Sequence, residues 1–230
     1  MDTTSRSRQR RDVAGALAAD DPSVRLRAAL AIGTEPDAGL LEALVERCAV
    51  EPDFFVRDML SWALTRLPAG TTLPRIRREL GSEHAQARSQ ALHTLSKIGV
   101  RSSWAWITPA LLRDPDDEVA RAAWRAAVAL VPEDGEEHLA DELLSQLGRG
   151  GHGVQSSLSR ALVDLGDVVV PALRRAAADI DPAVAEHARA TELLLRDPEA
   201  GFEAARAEAR RLTALGHAGA VATDGRATGC

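Results

Sequence analysis

The feature that most constrains this chain is a spacing. An apolar anchor opens a helical stripe at Val24, Val56, Ala87, Val119, Val154 and Val184, at separations of 32, 31, 32, 35 and 30 residues. Each anchor is followed at the fourth and eighth residue by Ala28/Ile32, Leu60/Leu64, Ala91/Leu95, Ala123/Ala127, Leu158/Leu162 and Ala188/Glu192. Residues so spaced lie along one face of a helix, so each triplet predicts a buried stripe, broken only at Glu192. Before several of these helices stands an acidic turn: Asp21-Pro22, Glu51-Pro52-Asp53, Asp114-Pro115-Asp116-Asp117 and Asp181-Pro182. After each comes a breaker such as Gly33, Pro68-Ala69-Gly70, Gly99 or Gly166-Asp167, and then a second apolar-periodic segment. Glycine accepts the left-handed backbone that ends a helix, and proline cannot continue one.

The pattern predicts first helices near 22–33, 54–66, 83–98, 116–131, 152–165 and 182–195. Second helices are expected near 37–48, 71–80, 103–112, 135–147, 167–178 and 198–213. A polar, arginine-bearing arm without order is expected over 1–8, a single repeat domain over 9–213, and an unstructured Gly-rich tail over 214–230. Composition agrees with an all-α chain: aromatic residues make up 3%, Tyr is absent, and Ala, Leu, Arg and Glu dominate. Sheets draw more heavily on aromatic and β-branched residues. A two-helix unit of this length cannot cover both of its apolar faces, whereas stacked units can.

The turn and the residues after it, Asp21-Pro22-x-Val24-Arg25 with Ala28, and the matching Val56-Arg57 and Ala87-Arg88, resemble the HEAT-repeat family. The likeness is to its short bacterial form, related to phycobilisome-lyase HEAT-like repeats, and covers about residues 20–213. It implies a right-handed α-solenoid, an armadillo-type superhelix of about six two-helix repeats. It also implies a structural ladder in which Arg25, Arg57 and Arg88 bond acidic residues of adjacent turns. Ala120, Gln155 and Ala185 depart from the pattern, so the ladder is expected to fade along the chain. Armadillo units are longer, with three helices, and the tetratricopeptide signature of small and aromatic residues is absent.

Candidate chemistry is thin. The six histidines form no close ligand pair, and the two cysteines, Cys48 and Cys230, stand far apart. No metal and no cofactor are expected. Gly148-Arg149-Gly150-Gly151-His152-Gly153 precedes a helix but lacks the Lys-Ser/Thr ending of a phosphate loop, and an inter-repeat connector explains it better. The acidic clusters at Asp114–Glu118 and Glu133–Glu137 suit helix capping better than acid–base catalysis. No catalytic residue is assigned, and an enzyme is less expected than a binding protein. A net charge of −6 disfavours nucleic acid as partner. No apolar run reaches membrane-spanning length and no secretory signal is recognised, so a cytoplasmic location is expected.

What remains is surface. In HEAT-like arrays the second helices line the concave face, and here they carry mixed charge. Trp106 aligns with the outward-facing Arg75 of the preceding repeat, and Pro109 is expected to start or bend its helix. Trp106, Arg75, Arg78, Arg174 and Arg175 are therefore the candidate contacts with another protein, and the expected function is a non-enzymatic protein-interaction scaffold. The resemblance leaves three alternatives open. One is a HEAT-like alkylpurine DNA glycosylase-type repair protein, suggested by Asp58 and Trp62 four residues apart. The others are a bilin-lyase-like chaperone and a regulatory partner of a transcription factor.

Overall fold

The computed structural model describes residues 3–212, and every regular element among them is helical, with no strand. The tail expected over 214–230, with Cys230, lies outside the described residues. The first helix, α1 (Thr3–Leu17), starts ahead of residue 9, taking in part of the arm expected to lack order. It is tied down at Arg10, whose Nε and Nη2 donate to Asp37 at 2.5 and 2.7 Å. By its contacts the chain divides after Val131 into two compact units, where the sequence reading has one domain over 9–213.

In the first unit α2 (Pro22–Thr34), α4 (Phe54–Arg66), α6 (Ala85–Ile98) and α8 (Asp117–Leu130) pack each on the next. Their starts are set by side-chain caps. Asp21 accepts from Ser23 N, Asp53 from Val56 N, and Asp116 from the amides of Glu118 and Val119, satisfying donors that a helix N-terminus leaves unpaired. The stripes Val56/Leu60/Leu64, Ala87/Ala91/Leu95 and Val119/Ala123/Ala127 are buried throughout. Burial of this kind stabilises by roughly 1.5–3 kcal/mol for each large aliphatic side chain. Small residues set the spacing: a Cβ on Gly33 would come within 2.0 Å of the Trp62 ring, so only glycine lets α4 sit this close to α2.

The second segments are shorter and often broken. A 3-10 turn, Ala38–Leu40, leads into α3 (Leu41–Val50), and α5 spans Ala69–Glu79. In place of a continuous helix over 103–112 there is a 3-10 turn at Arg101–Trp106, then α7 (Pro109–Leu112) capped by Thr108. Pro109 has no N–H to give back to residue 105, so the chain restarts there with proline in the first helical position.

The second unit contains α9 (Glu136–Leu144), α10 (His152–Asp164), α11 (Val170–Ala176), α12 (Pro182–Arg196) and α13 (202–212). α12 packs on α10 and α11, and α9 packs on both α10 and α11. Phe202, Ala205 and Ala209 of α13 cluster with Ala190 and Leu194 of α12. Ahead of α10 the chain turns through Gly148 and Gly150, at φ of +81° and +65°. A Cβ on Gly150 would lie 2.9 Å from that of Val154, so glycine is required there for both conformation and space.

Candidate interaction surface

In α2, α4 and α6 the residue four beyond the N-cap repeats one role, whereas in α8 that place is Ala120. Arg25 Nη1 donates to the carbonyls of Ala19 and Asp20, Arg57 Nη1 to those of Glu51 and Pro52, and Arg88 Nη1 to those of Ser82 and Glu83. Each guanidinium thus closes the turn before its own helix. Two of them also reach forward. Arg25 grips Glu51 through Nε and Nη2, both at 2.7 Å, and Arg88 grips Asp114 at 2.9 and 3.0 Å. Glu51 and Asp114 in turn accept from the amides of the N-caps Asp53 and Asp116. At the matching turn position in front of Arg57 stands Ser82, which accepts from His84 N but brings no carboxylate.

Glu51 is fully buried and carries a third partner, Arg47 Nε at 2.7 Å. Burial alone would raise its pKa. The bonds from Arg25, Arg47 and the Asp53 amide outweigh that penalty and hold the carboxyl down at about 2. Gln86 Nε2, on α6, donates to the carbonyls of Cys48 and Glu51, and Ser89 Oγ lies 3.3 Å from the carbonyl of Glu118. These bonds lace the turns before α2, α4, α6 and α8 into one edge of the first unit.

The predicted contact residues divide. Trp106 is half-buried, with the Arg77 guanidinium 5.1 Å from its ring centre, a cation–π pair. A groove of about 480 Å³ beside it is lined by Leu80, Thr108 and Leu111 together with Arg77 and Trp106. Arg78 is exposed on α5. Arg75 is engaged within the fold instead, with Nε 2.7 Å from Glu42 and Nη1 2.6 Å from Glu79, clamping α5 to α3. The pairing leaves the Arg75 side chain 15% exposed. Arg174 and Arg175 are exposed on α11 of the second unit, with Arg174 Nε 3.5 Å from Glu192.

Other tryptophans serve packing. Trp124 is completely buried and donates its indole N–H to the Leu112 carbonyl at 2.8 Å. Asp58, four residues before the glycine-packed Trp62, is held by Lys97 Nζ at 2.7 Å and lies 3.7 Å from His93. The Lys97 hydrogen bond leads the causes that lower its pKa, so it stays a paired carboxylate.

The second unit replaces charge with a neutral network. Gln155, at the arginine position, donates to the carbonyls of Gly148 (3.4 Å) and Gly150 (3.2 Å). His187, 2% exposed, accepts from Gly148 N on Nδ1 at 3.1 Å, so its proton sits on Nε2, which faces the Gln155 carbonyl at 3.1 Å and Ser159 Oγ at 3.0 Å. Ser159 bonds Thr191 Oγ1 at 2.7 Å, and Thr191 returns a bond to the His187 carbonyl. Desolvation leads the effects that push His187 down to about 4, so the ring is neutral at pH 7. Ser159 and His187 have the separation of a nucleophile–base pair, but Ser159 is 0% exposed and no carboxylate orients the ring. The Gly148 amide that an anion cradle would need is already committed to His187. Cys48 is buried, and burial raises its thiol to about 12, leaving it protonated and inert. Among the described residues no group of three or more His, Cys, Asp or Glu side chains is placed to hold a metal ion, and no helix is long and apolar enough to cross a membrane.

No protein-family model and no curated protein matches this sequence. Among solved structures, the chain is similar to an engineered protein, a Northeast Structural Genomics Consortium target, with a TM-score of 0.47 and 19% identity over 86% of this chain and 97% of that one.

Proposed function

We propose that this chain is a HEAT-like α-solenoid of about six repeats acting as a non-enzymatic protein-interaction scaffold. The observation that carries the proposal is the Trp106 groove. A large aromatic stays half-exposed on the second-segment side, braced by Arg77, beside Leu80 and Leu111. Tryptophan and arginine are the residues that most often anchor protein interfaces. The turn-closing arginines support the HEAT-like part, since one side chain does the same job at Arg25, Arg57 and Arg88. Two polar clusters that could suggest chemistry are engaged within the fold: Asp58 with Lys97, and Ser159 with His187 and Thr191. The reading places the protein with soluble cytoplasmic adaptors.

The test is affinity purification of the full chain with mass spectrometry, comparing wild type with Trp106→Ala and Arg77→Ala. The proposal expects a protein partner that is recovered with wild type and lost with both variants. Recovery of the same proteins by all three chains would remove the groove from the account. Turnover of a small molecule by the purified protein, with no partner recovered, would remove the scaffold reading.

A further inference from the structure

The Trp106 groove has its cause in the backbone. Where the repeat spacing calls for a continuous second helix over 103–112, the chain makes a 3-10 turn at Arg101–Trp106 and resumes only as the four-residue α7. A ten-residue helix would run about 15 Å, of which α7 supplies about 6 Å. α5 keeps its full 11 residues, and its end, at Arg77 and Leu80, lines the space left open together with Ala105, Trp106 and Leu111. Trp106 is half-buried there, with Arg77 5.1 Å from its ring centre.

The charge lining this groove selects its occupant. Three charged side chains line it, Arg77, Arg88 and Asp114. Arg88 and Asp114 bond each other at 2.9 and 3.0 Å, so their charges offset. The Arg77 side chain makes no hydrogen bond or ion pair among the described residues, and its contact is the indole ring. Of the charged neighbours along the chain, none of which lines the groove, Glu79 is held by Arg75, Asp116 caps α8, Glu83 is exposed, and Arg78, Arg101 and Arg113 are exposed cations. A lone surface arginine is ordinary. One set on a half-buried tryptophan in a groove is not, because the ring fixes its place while its N–H donors stay available to a carboxylate, which a guanidinium binds two-pronged. A phosphate backbone asks for a run of cations, and here one unpaired guanidinium lines the site of a chain carrying −6 overall.

We propose that the Trp106 groove takes an acidic segment of a partner protein, one that lays a large apolar side chain against the indole and sets an Asp or Glu carboxylate on Arg77. The inference rests on the interaction-scaffold reading and adds to it the chemistry of the partner.

The test uses the full chain and fluorescence anisotropy. The probe is a short labelled peptide carrying Leu and Phe among Asp and Glu. One control replaces its acids with Lys, another its apolar residues with Ser. The acidic apolar peptide is expected to bind in preference to both, and to bind more weakly as salt rises. Trp106→Ala and Arg77→Glu should each weaken it about tenfold or more. Arg77→Lys, which keeps the charge but not the planar fork, should weaken it several-fold. Arg77→Glu should also move the preference toward the Lys peptide, a reversal that misfolding does not produce. Arg77 is exposed, so that variant should keep the wild-type thermal transition. Binding of the Lys peptide by wild type, lost in Trp106→Ala, would overturn the acidic partner and leave the scaffold reading standing. Acidic-peptide binding undiminished by both variants would take the groove out of both. Failure of wild type to bind any of the three peptides would overturn the inference, and partner recovery by affinity purification then decides the scaffold reading alone. A dimer in sedimentation that Trp106→Ala dissolves would give the groove to a second copy and overturn the inference as well.

Discussion

The two units close the same kind of turn with opposite chemistry. Before α2, α4 and α6 the closing group is an arginine, and in two of the three cases it also grips a carboxylate of the following turn. Before α10 it is Gln155, and the forward bond is made by the neutral His187 on the Gly148 amide. Both solutions satisfy the buried polar groups, but they differ in what breaks them. A buried ion pair is lost by removing one charge, leaving the other stranded. A neutral imidazole network is lost by adding a proton.

Substitutions on the two sides of this contrast differ in expected size. The largest effect is expected from Glu51→Ala, which strands Arg25 and Arg47 beside an unsatisfied Asp53 amide. It should cost about 3–5 kcal/mol, read by urea denaturation followed through tryptophan fluorescence. All four tryptophans fall before Val131, so that signal reports the first unit. Gly33→Ala should come next, since its methyl must displace the Trp62 ring, at about 1–3 kcal/mol by the same assay. Ser159→Ala in the second unit should cost about 1–2 kcal/mol, because Thr191 and His187 each lose a buried partner. It should leave the tryptophan transition unmoved and shift a circular-dichroism transition. The smallest effect is a gain. Ser82→Asp supplies the missing carboxylate in front of Arg57 and can keep the turn bond to His84, as Asp114 and Asp179 do for Asp116 and Asp181. A rise of about 0.5–1 kcal/mol is expected, abolished when Arg57→Gln is added.

How much of this was legible in the sequence depended on how local its cause was. The caps Asp21, Asp53, Asp116 and Asp181 could be read because an N-cap acts over two or three residues. The buried stripes could be read because helical periodicity is local too. The break at Arg101–Trp106 was half-legible: Pro109 announced a restart, but not the 3-10 turn before it. Arg75 read as an outward contact because its partner Glu42 lies 33 residues away on another helix. Gln155 counted as a departure from the arginine pattern, yet it does the carbonyl half of the arginine's work. The His187 network joins α10, α12 and the 148–150 turn, and no spacing announces it. Phe54–Phe55 lie outside the helical periodicity, because the buried stripe of α4 begins at its third residue, Val56. They stand at places that are polar, small or proline in the neighbouring repeats.

The measurement that tests the contrast most directly is segment-resolved hydrogen exchange, corrected for intrinsic rates, between pH 7 and pH 4. His187 is held near 4 against an ordinary 6.5, so the unfolded chain takes up its proton first. The second unit should be fully stable above about pH 6.5 and lose about 3 kcal/mol as the pH falls to 4. Glu51 is held near 2 against an ordinary 4.5, so its contribution is intact above about pH 4.5 and lost only as the pH falls toward 2. Amides of α10 and α12 should therefore lose more protection across this range than those of α2, α4 and α6, where His93, also held below its ordinary value chiefly by burial, contributes only a smaller loss. Parallel loss in both units, or unchanged protection of α10 and α12 down to pH 4, would contradict the account.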